Sequence, residues 1–349
     1  MKKNTVQNNH LKSIFPLAED NFAILESKQK KQSLSKDQKT IPAEVLFRHF
    51  QAIAQYIELD TERYNLNRLL YFKNKLQRNT NAPLSRVEQL LLNAWNTEYL
   101  LLFNTQEHEH HPNYLRLALH WAFPQAYYSS YLTMFAAYTA KGVNCRTHEA
   151  LIKQFASLST NDAYPTTVSY FAEGEKGNYR FKNLPQLEDF HKKNALDPIL
   201  SPQDCASQIA ILLKTTRDES SEHVKKERQS RGQTAIKTKE GDIRKKFSSD
   251  HWVQIAEKVG YTTLFDFLYR MRLKANYQDV RTFINADVDF KAFHKAMYSI
   301  VAYLNFIHES YTTKSIGQHE MQRIVEEFSE ATQSNFVQQR FEKLIKPLL

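Results

Sequence analysis

From residue 41 onward, apolar side chains return every three or four positions, the period of a helix that buries one face. Val45, Phe47, Phe50, Ile53, Ala54 and Ile57 mark the first stripe, with Pro42 suited to its first turn. A second stripe, Tyr64, Leu66, Leu69, Leu70 and Phe72, predicts a helix over about 60–77, broken by the polar run that ends at Pro83. Ser85, with Glu88 three residues on, fits a capping box. The helix it opens carries Val87, Leu90, Leu91, Ala94, Trp95 and Tyr99 and is expected to stop near Phe103. Pro112 starts the next one, which Pro124 kinks or restarts. Along it Tyr127, Tyr128, Tyr131, Met134, Phe135 and Tyr138 form an aromatic stripe, read mostly as core. Gly142 supplies a left-handed stop, and Thr147 caps a further helix through Leu151, Ile152 and Phe155.

After residue 160 the period fades. Residues 173–178 and 183–185 read as loops, and a short helix follows Ser201-Pro202 through Ile209, Leu212 and Leu213. Residues 217–246 are highly charged with almost no apolar positions, the pattern of a flexible loop or an exposed helix. Helical spacing resumes at Trp252, Val253, Ile255 and Val259, ends at Gly260, and continues through Leu264, Phe267, Leu268 and Met271. Asp289 precedes a long amphipathic helix, and after Gly317 one last helix is expected over about 320–343. The fold class is therefore all-α. Four parts are expected: a basic tail at 1–40, N-terminal helices at 41–111, a core at 112–312 with an insertion at about 171–249, and a C-terminal helix at 313–349.

Composition supports helices. Seven glycines and ten prolines in 349 residues leave little turn chemistry for a sheet-rich fold. A formal charge of +9 favours an anionic partner, nucleic acid first. Two cysteines make no disulfide framework, which fits a reducing, cytoplasmic setting. Residues 117–140 lack Asp, Glu, Lys and Arg and are long enough to span a bilayer. They also carry His120, Pro124, Gln125 and four tyrosines, so a buried helix is the better account and no membrane is expected. The cluster Glu107-His108-Glu109-His110-His111 lacks partners at a metal-binding spacing and reads as a polar connection. No Walker loop, dinucleotide fingerprint or nucleophile elbow occurs, and no cofactor is expected.

Two stretches remain. Residues 123–155, with paired tyrosines, Lys141-Gly142 and Thr147-His148, and residues 269–277, Tyr-Arg-Met-Arg-Leu-Lys-Ala-Asn-Tyr, resemble the HEPN domains of bacteria and archaea. The resemblance implies a helical bundle and, for many members, a metal-independent RNase of defence or toxin–antitoxin type that acts as a homodimer. The family's nuclease motif is Arg, four to six variable residues, then His. Here Tyr277 stands in the histidine position after both Arg270 and Arg272. The candidate catalytic set is thus Arg272, Tyr277, Arg270 and Asn276, with His294 as a helper; His148 is read as structural. Arg116 and His120, four apart on one helix face, are the alternative pair. Lys225, Lys226, Arg228, Arg231, Arg244, Lys245 and Lys246 are the candidate nucleic-acid contacts. The expected partners are RNA, a second copy and a protein of the same system. The alternative function is a catalytically silent relative that recognises RNA, a nucleotide or a protein.

Overall fold

The structure is a computed structural model, and it describes residues 41–110, 113–185, 193–231, 236–238, 241–277 and 286–349; for 41, 105–110, 276 and 277 it describes the backbone alone. The long helices are α1 (Ile41–Glu58), α2 (Leu84–His110), α3 (Tyr114–Lys141), α5 (Pro202–Ser230) and α8 (Phe290–Ile316). Shorter ones are α4 (His148–Ser159), α6 (Ser249–Val259), α7 (Leu264–Tyr277), α9 (Gln318–Thr332) and α10 (Phe336–Arg340). The protein is predominantly helical, as the pattern of the chain predicts. The described residues form one small sheet: β1 (Phe171–Glu173) pairs antiparallel with β2 (Arg180–Lys182) on one side and β3 (Thr262–Thr263) on the other.

α3 is the central element, packed against α2, α8 and α7. One apolar core runs from Ala43 in α1 to Ile345 beyond α10. At one point of it Phe50 brings Phe123, Phe267 and Phe293 together, with ring centroids 5.3–5.8 Å apart, joining α1, α3, α7 and α8. A polar knot lies in the same interior. Arg340 is fully buried and forks onto two carboxylates, Glu98 of α2 (2.6 and 2.8 Å) and Glu309 of α8 (2.9 and 2.6 Å). Trp95 Nε1 donates to Glu309, and Asn305 donates to Glu98 and to Ser129 of α3. Bidentate pairing and these added donors are what permit three charges to be held out of water.

Most of the expected helix boundaries are present. Thr147 Oγ1 accepts from Ala150 N, Ser201 Oγ from Asp204 N and Asp289 from Ala292 N, while Gly142 closes α3 at φ 90°. Elsewhere the structure departs from expectation. The helix predicted over 60–77 is a series of short turns around Leu66–Arg68 and Tyr71–Lys75. Asp60 and its neighbourhood divert it: the Asp60 carboxylate takes the Arg68 guanidinium, and Arg63 donates to the carbonyls of Glu58 and Asp60. Ser85 does not cap α2, which begins one residue earlier, and Glu88 pairs with Arg323 of α9. α2 also continues to His110, so residues 107–110 are helical backbone; His111 and Pro112 lie outside the described residues, as do residues 1–40.

The expected loop at 173–178 is the turn of a hairpin whose two strands were not expected, and α5 is far longer than the short helix predicted after Pro202. The charged stretch expected as a loop or an exposed helix is helical up to Ser230, and its first residue, Arg217, is buried and donates to the carbonyls of Gly174 and Gly260 and to Thr262 Oγ1. Arg217 joins α5 to the sheet. The last predicted helix is two, because Gln333 takes a left-handed backbone (φ 53°) that ends α9. Among the described residues no helix is long and apolar enough to cross a membrane.

Candidate functional site

The sheet and its buried arginine set the direction of α7. β3 runs straight into that helix, and Asp266 Oδ2 accepts both Thr263 N (2.7 Å) and Thr263 Oγ1 (2.8 Å). Burial raises the Asp266 carboxyl to about 6. α7 then carries two arginines on different faces, because residues two apart on a helix point in nearly opposite directions.

Arg270 turns toward α5. Its Nε lies 2.6 Å from Glu219 Oε2, and Nη1 donates to Thr216 Oγ1 at 2.9 Å. Lys274 shares the same carboxylate at 2.9 Å. Arg270 is therefore a neutralised, largely buried brace between α7 and α5. Arg272 turns toward α3. Its Nη1 donates to Tyr128 Oη (2.7 Å), and the guanidinium lies over the rings of Tyr269 (4.9 Å), Tyr128 (5.4 Å) and Tyr127 (5.5 Å). Among the described residues no carboxylate pairs with it. A half-exposed cation held by π faces and one phenol keeps its full charge for an outside anion. Asn276 and Tyr277 lie in the last turn of α7, and their side chains are outside the described residues.

His148 joins this cluster from the first position of α4. It stacks on Tyr131 (centroids 4.2 Å apart), shares a 2.7 Å hydrogen bond between Nδ1 and Tyr127 Oη, and lies 5.9 Å from the ring of Tyr269. Burial, and then the positive charge of Arg272, hold its imidazolium below the usual histidine range. Burial raises the Tyr127 phenol, which stays protonated. The site thus pairs a fixed guanidinium with a neutral imidazole over a floor of tyrosines. His148, read from the sequence as structural, lies in the same cluster as Arg272, its ring beside that of Tyr269. The one signal that marked the position was the Thr147-His148 dipeptide at a helix start.

Arg116 and His120 are not gathered with Arg272. They lie on the first turns of α3, where His120 Nδ1–H donates to Leu117 O (3.1 Å), about 12 Å along the axis from Tyr128. His294 is buried inside α8.

The candidate nucleic-acid contacts do come together. α5, the segment 241–248, α6 and the β1–β2 turn form one surface. Lys225 lies 5.5 Å from the Trp252 ring and 5.7 Å from Phe247, with Lys176 5.0 Å from Trp252 on the same indole. Glu222 bridges the two ammonium groups. Arg228 donates to Gln254, and Arg231 pairs with Glu227. Gln229 donates to the carbonyl of Arg244, whose own Nε donates to Lys237 O. Lys226, Lys245 and Lys246 are exposed and, among the described residues, take no carboxylate. α5 links this surface to α7, since Glu219, which holds Arg270 and Lys274, stands about 10 Å along the helix from Lys226.

Neither a protein-family model, nor a curated protein, nor a solved structure matches this chain.

Proposed function

We propose that the chain is a HEPN-like RNA-binding protein of the defence or toxin–antitoxin kind that cleaves RNA without a metal ion, as a homodimer, with Arg272 and His148 as its catalytic pair. The observation that carries this is the half-exposed Arg272 guanidinium, free of carboxylates among the described residues, beside an imidazole kept neutral. Metal-free cleavage needs a group that moves a proton near neutral pH and a fixed cation over the phosphate oxygens. His148 takes the proton of a ribose 2′-hydroxyl as its oxygen bonds to phosphorus. The bond from phosphorus to the 5′-oxygen breaks, and that oxygen takes a proton from solvent water, while His148 later returns its own proton to solvent. The products are a 2′,3′-cyclic phosphate and a 5′-hydroxyl. Arg272 and the Tyr128 phenol hold the charge that builds on the non-bridging oxygens. DNA, lacking the hydroxyl, is not a substrate. The basic surface of α5 and α6 supplies non-specific attraction for the strand.

With EDTA present, the purified protein is expected to cut RNA to cyclic-phosphate ends. Arg272→Ala and His148→Ala each abolish the cut, a loss of 100-fold or more on the order expected for such groups. Unchanged cutting by either variant removes that residue from the site. The second reading, a silent RNA-binding relative, is favoured by the extent to which His148 is packed: a stack and a hydrogen bond already occupy it. It predicts binding that weakens with salt and with Arg272→Ala, and no cleavage.

A further inference from the structure

A second guanidinium near this site keeps its charge. Arg86, in the first turn of α2, is exposed and lies over the Phe135 ring at 5.7 Å, its Nη1 donating to the neutral Gln89 side chain at 2.6 Å. Among the described residues no carboxylate pairs with it, and its neighbour Glu88 is held by Arg323. Phe135 belongs to the face of α3 that carries the site. At 3.6 residues per turn Tyr128, Tyr131 and Phe135 fall within about 60° of one another around the axis. Contacts run unbroken along that face. Arg272 lies over Tyr128 at 5.4 Å, the Tyr128 ring is 6.1 Å from that of His148, and His148 stacks on Tyr131 at 4.2 Å. Tyr131 then lies 6.1 Å from Phe135, and Arg86 closes the row. The imidazole thus stands between two cations. The Tyr131 phenol beneath it feels both: burial raises it, with Cys145 and Tyr128 adding, and the charges of Arg272 and Arg86 oppose the rise. Glu149, the acid next to His148 in the chain, lies 4.0 Å from Lys153.

We infer that Arg86 is the seat of a second phosphate, so that one RNA strand is gripped by two guanidiniums, one on each side of His148. The inference rests on the reading of Arg272 as the seat of the scissile phosphate and adds the subsite beyond it. Tyr128 and Phe135 are seven residues apart, about 10 Å along α3. That span is about three charges of a stacked strand, at about 3.4 Å each, and fewer of an extended one. An arginine laid over a ring presents a pre-organised fork, so it loses little freedom when it takes a phosphate. Arg270, on the opposite face of α7, cannot serve in this way, because Glu219 already occupies it. Two fixed cations at this spacing select by length. A dinucleoside monophosphate has a single phosphate and satisfies one cation; a strand of several nucleotides satisfies both.

The test uses the full chain and a short oligodeoxyuridylate carrying one ribose, so that only one linkage can be cut. Its phosphates are replaced singly by neutral methylphosphonates, and binding and cutting are measured for the parent, Arg86→Gln and Arg272→Ala. One neutral linkage near the ribose, other than the scissile one, is expected to weaken parent binding about ten-fold, the effect of losing a hydrogen bond between charged groups. Arg86→Gln is expected to bind the unmodified strand about ten-fold more weakly and to be indifferent to that one replacement. Its slope of log affinity against log salt should be shallower by about 0.7, one contact on a single strand. The side chain is exposed, so the melting temperature should hold. Arg86→Gln that binds and cuts like the parent, while Arg272→Ala does not, overturns the inference and leaves the Arg272 site standing. A loss in Arg86→Gln that no single phosphate accounts for also overturns it. Dependence on both arginines and on one flanking phosphate, without cutting, upholds the subsite and removes the nuclease reading. Binding that ignores Arg272→Ala overturns both.

Discussion

The setting of His148 comes from three neighbours, two on the preceding helix α3 and one on the distant α7. Tyr131 stacks on it, Tyr127 bonds to it, and Arg272 repels its proton. A histidine depressed in this way is a base that stays ready below neutral pH, so the acid limb of cleavage should lie under the ordinary histidine value of ~6.5. Because Arg272 is one cause of the shift, Arg272→Gln should move the His148 titration upward. NMR of the imidazole protons measures this directly, and it requires no activity. A titration that stays put would mean that burial alone sets the shift. Glutamate at 272 should move it higher still.

At the level of elements, the position of His148 depends on how α4 begins. Thr147 caps that helix through Ala150 N at 3.1 Å, so Thr147→Ala should cost about 1 kcal/mol in a urea melt. It should also lower cleavage more than that loss of folded protein accounts for, since the first turn of α4 carries the ring. Thr147, Ser201, Asp289 and Gly142 were legible in sequence because a cap is a local contract between residues three or four apart. The start of α2 was misread for the same reason in reverse: Ser85 and Glu88 have the right spacing, yet Glu88 is held by Arg323 from a distant helix. The second half of α5 was left open between a loop and an exposed helix because it lacks an apolar stripe. Ion pairs with Lys176, Lys258 and Lys274 of other elements and the buried Arg217 hold it in place of a greasy face. The candidate site was half legible. Arg272 was named, but nothing in the local pattern distinguishes a cation aimed at tyrosines from Arg270, aimed at Glu219.

For the molecule as a whole, two buried histidines set a limit toward acid. Burial lowers His308 to about 3, and burial with the charge of Arg270 lowers His49 to about 3. An unfolded histidine takes its proton near 6.5, so these folded values favour the native state fully above that pH. The advantage is lost as pH falls from ~6.5 toward 3, at up to ~1.4 kcal/mol per pH unit for each group. Glu58, raised to about 7, and Asp266, raised to about 6, act in the opposite sense over their own ranges. The comparison that isolates the effect is His308→Gln against the parent: the parent's denaturant midpoint should fall more steeply between pH 6.5 and 4. Parallel curves would show that His308 does not carry the dependence. Arg340→Ala should be costlier at every pH, by about 3–5 kcal/mol, because Glu98 and Glu309 then stay buried without their cation.

That knot also orders events in time. A ribosome makes Glu98 and Glu309 before it makes Arg340, so the nascent chain holds two carboxylates whose common counter-ion has yet to emerge. The central layer of α2, α3 and α8 cannot settle around like charges in a dry interior, and its completion waits for one late residue to arrive.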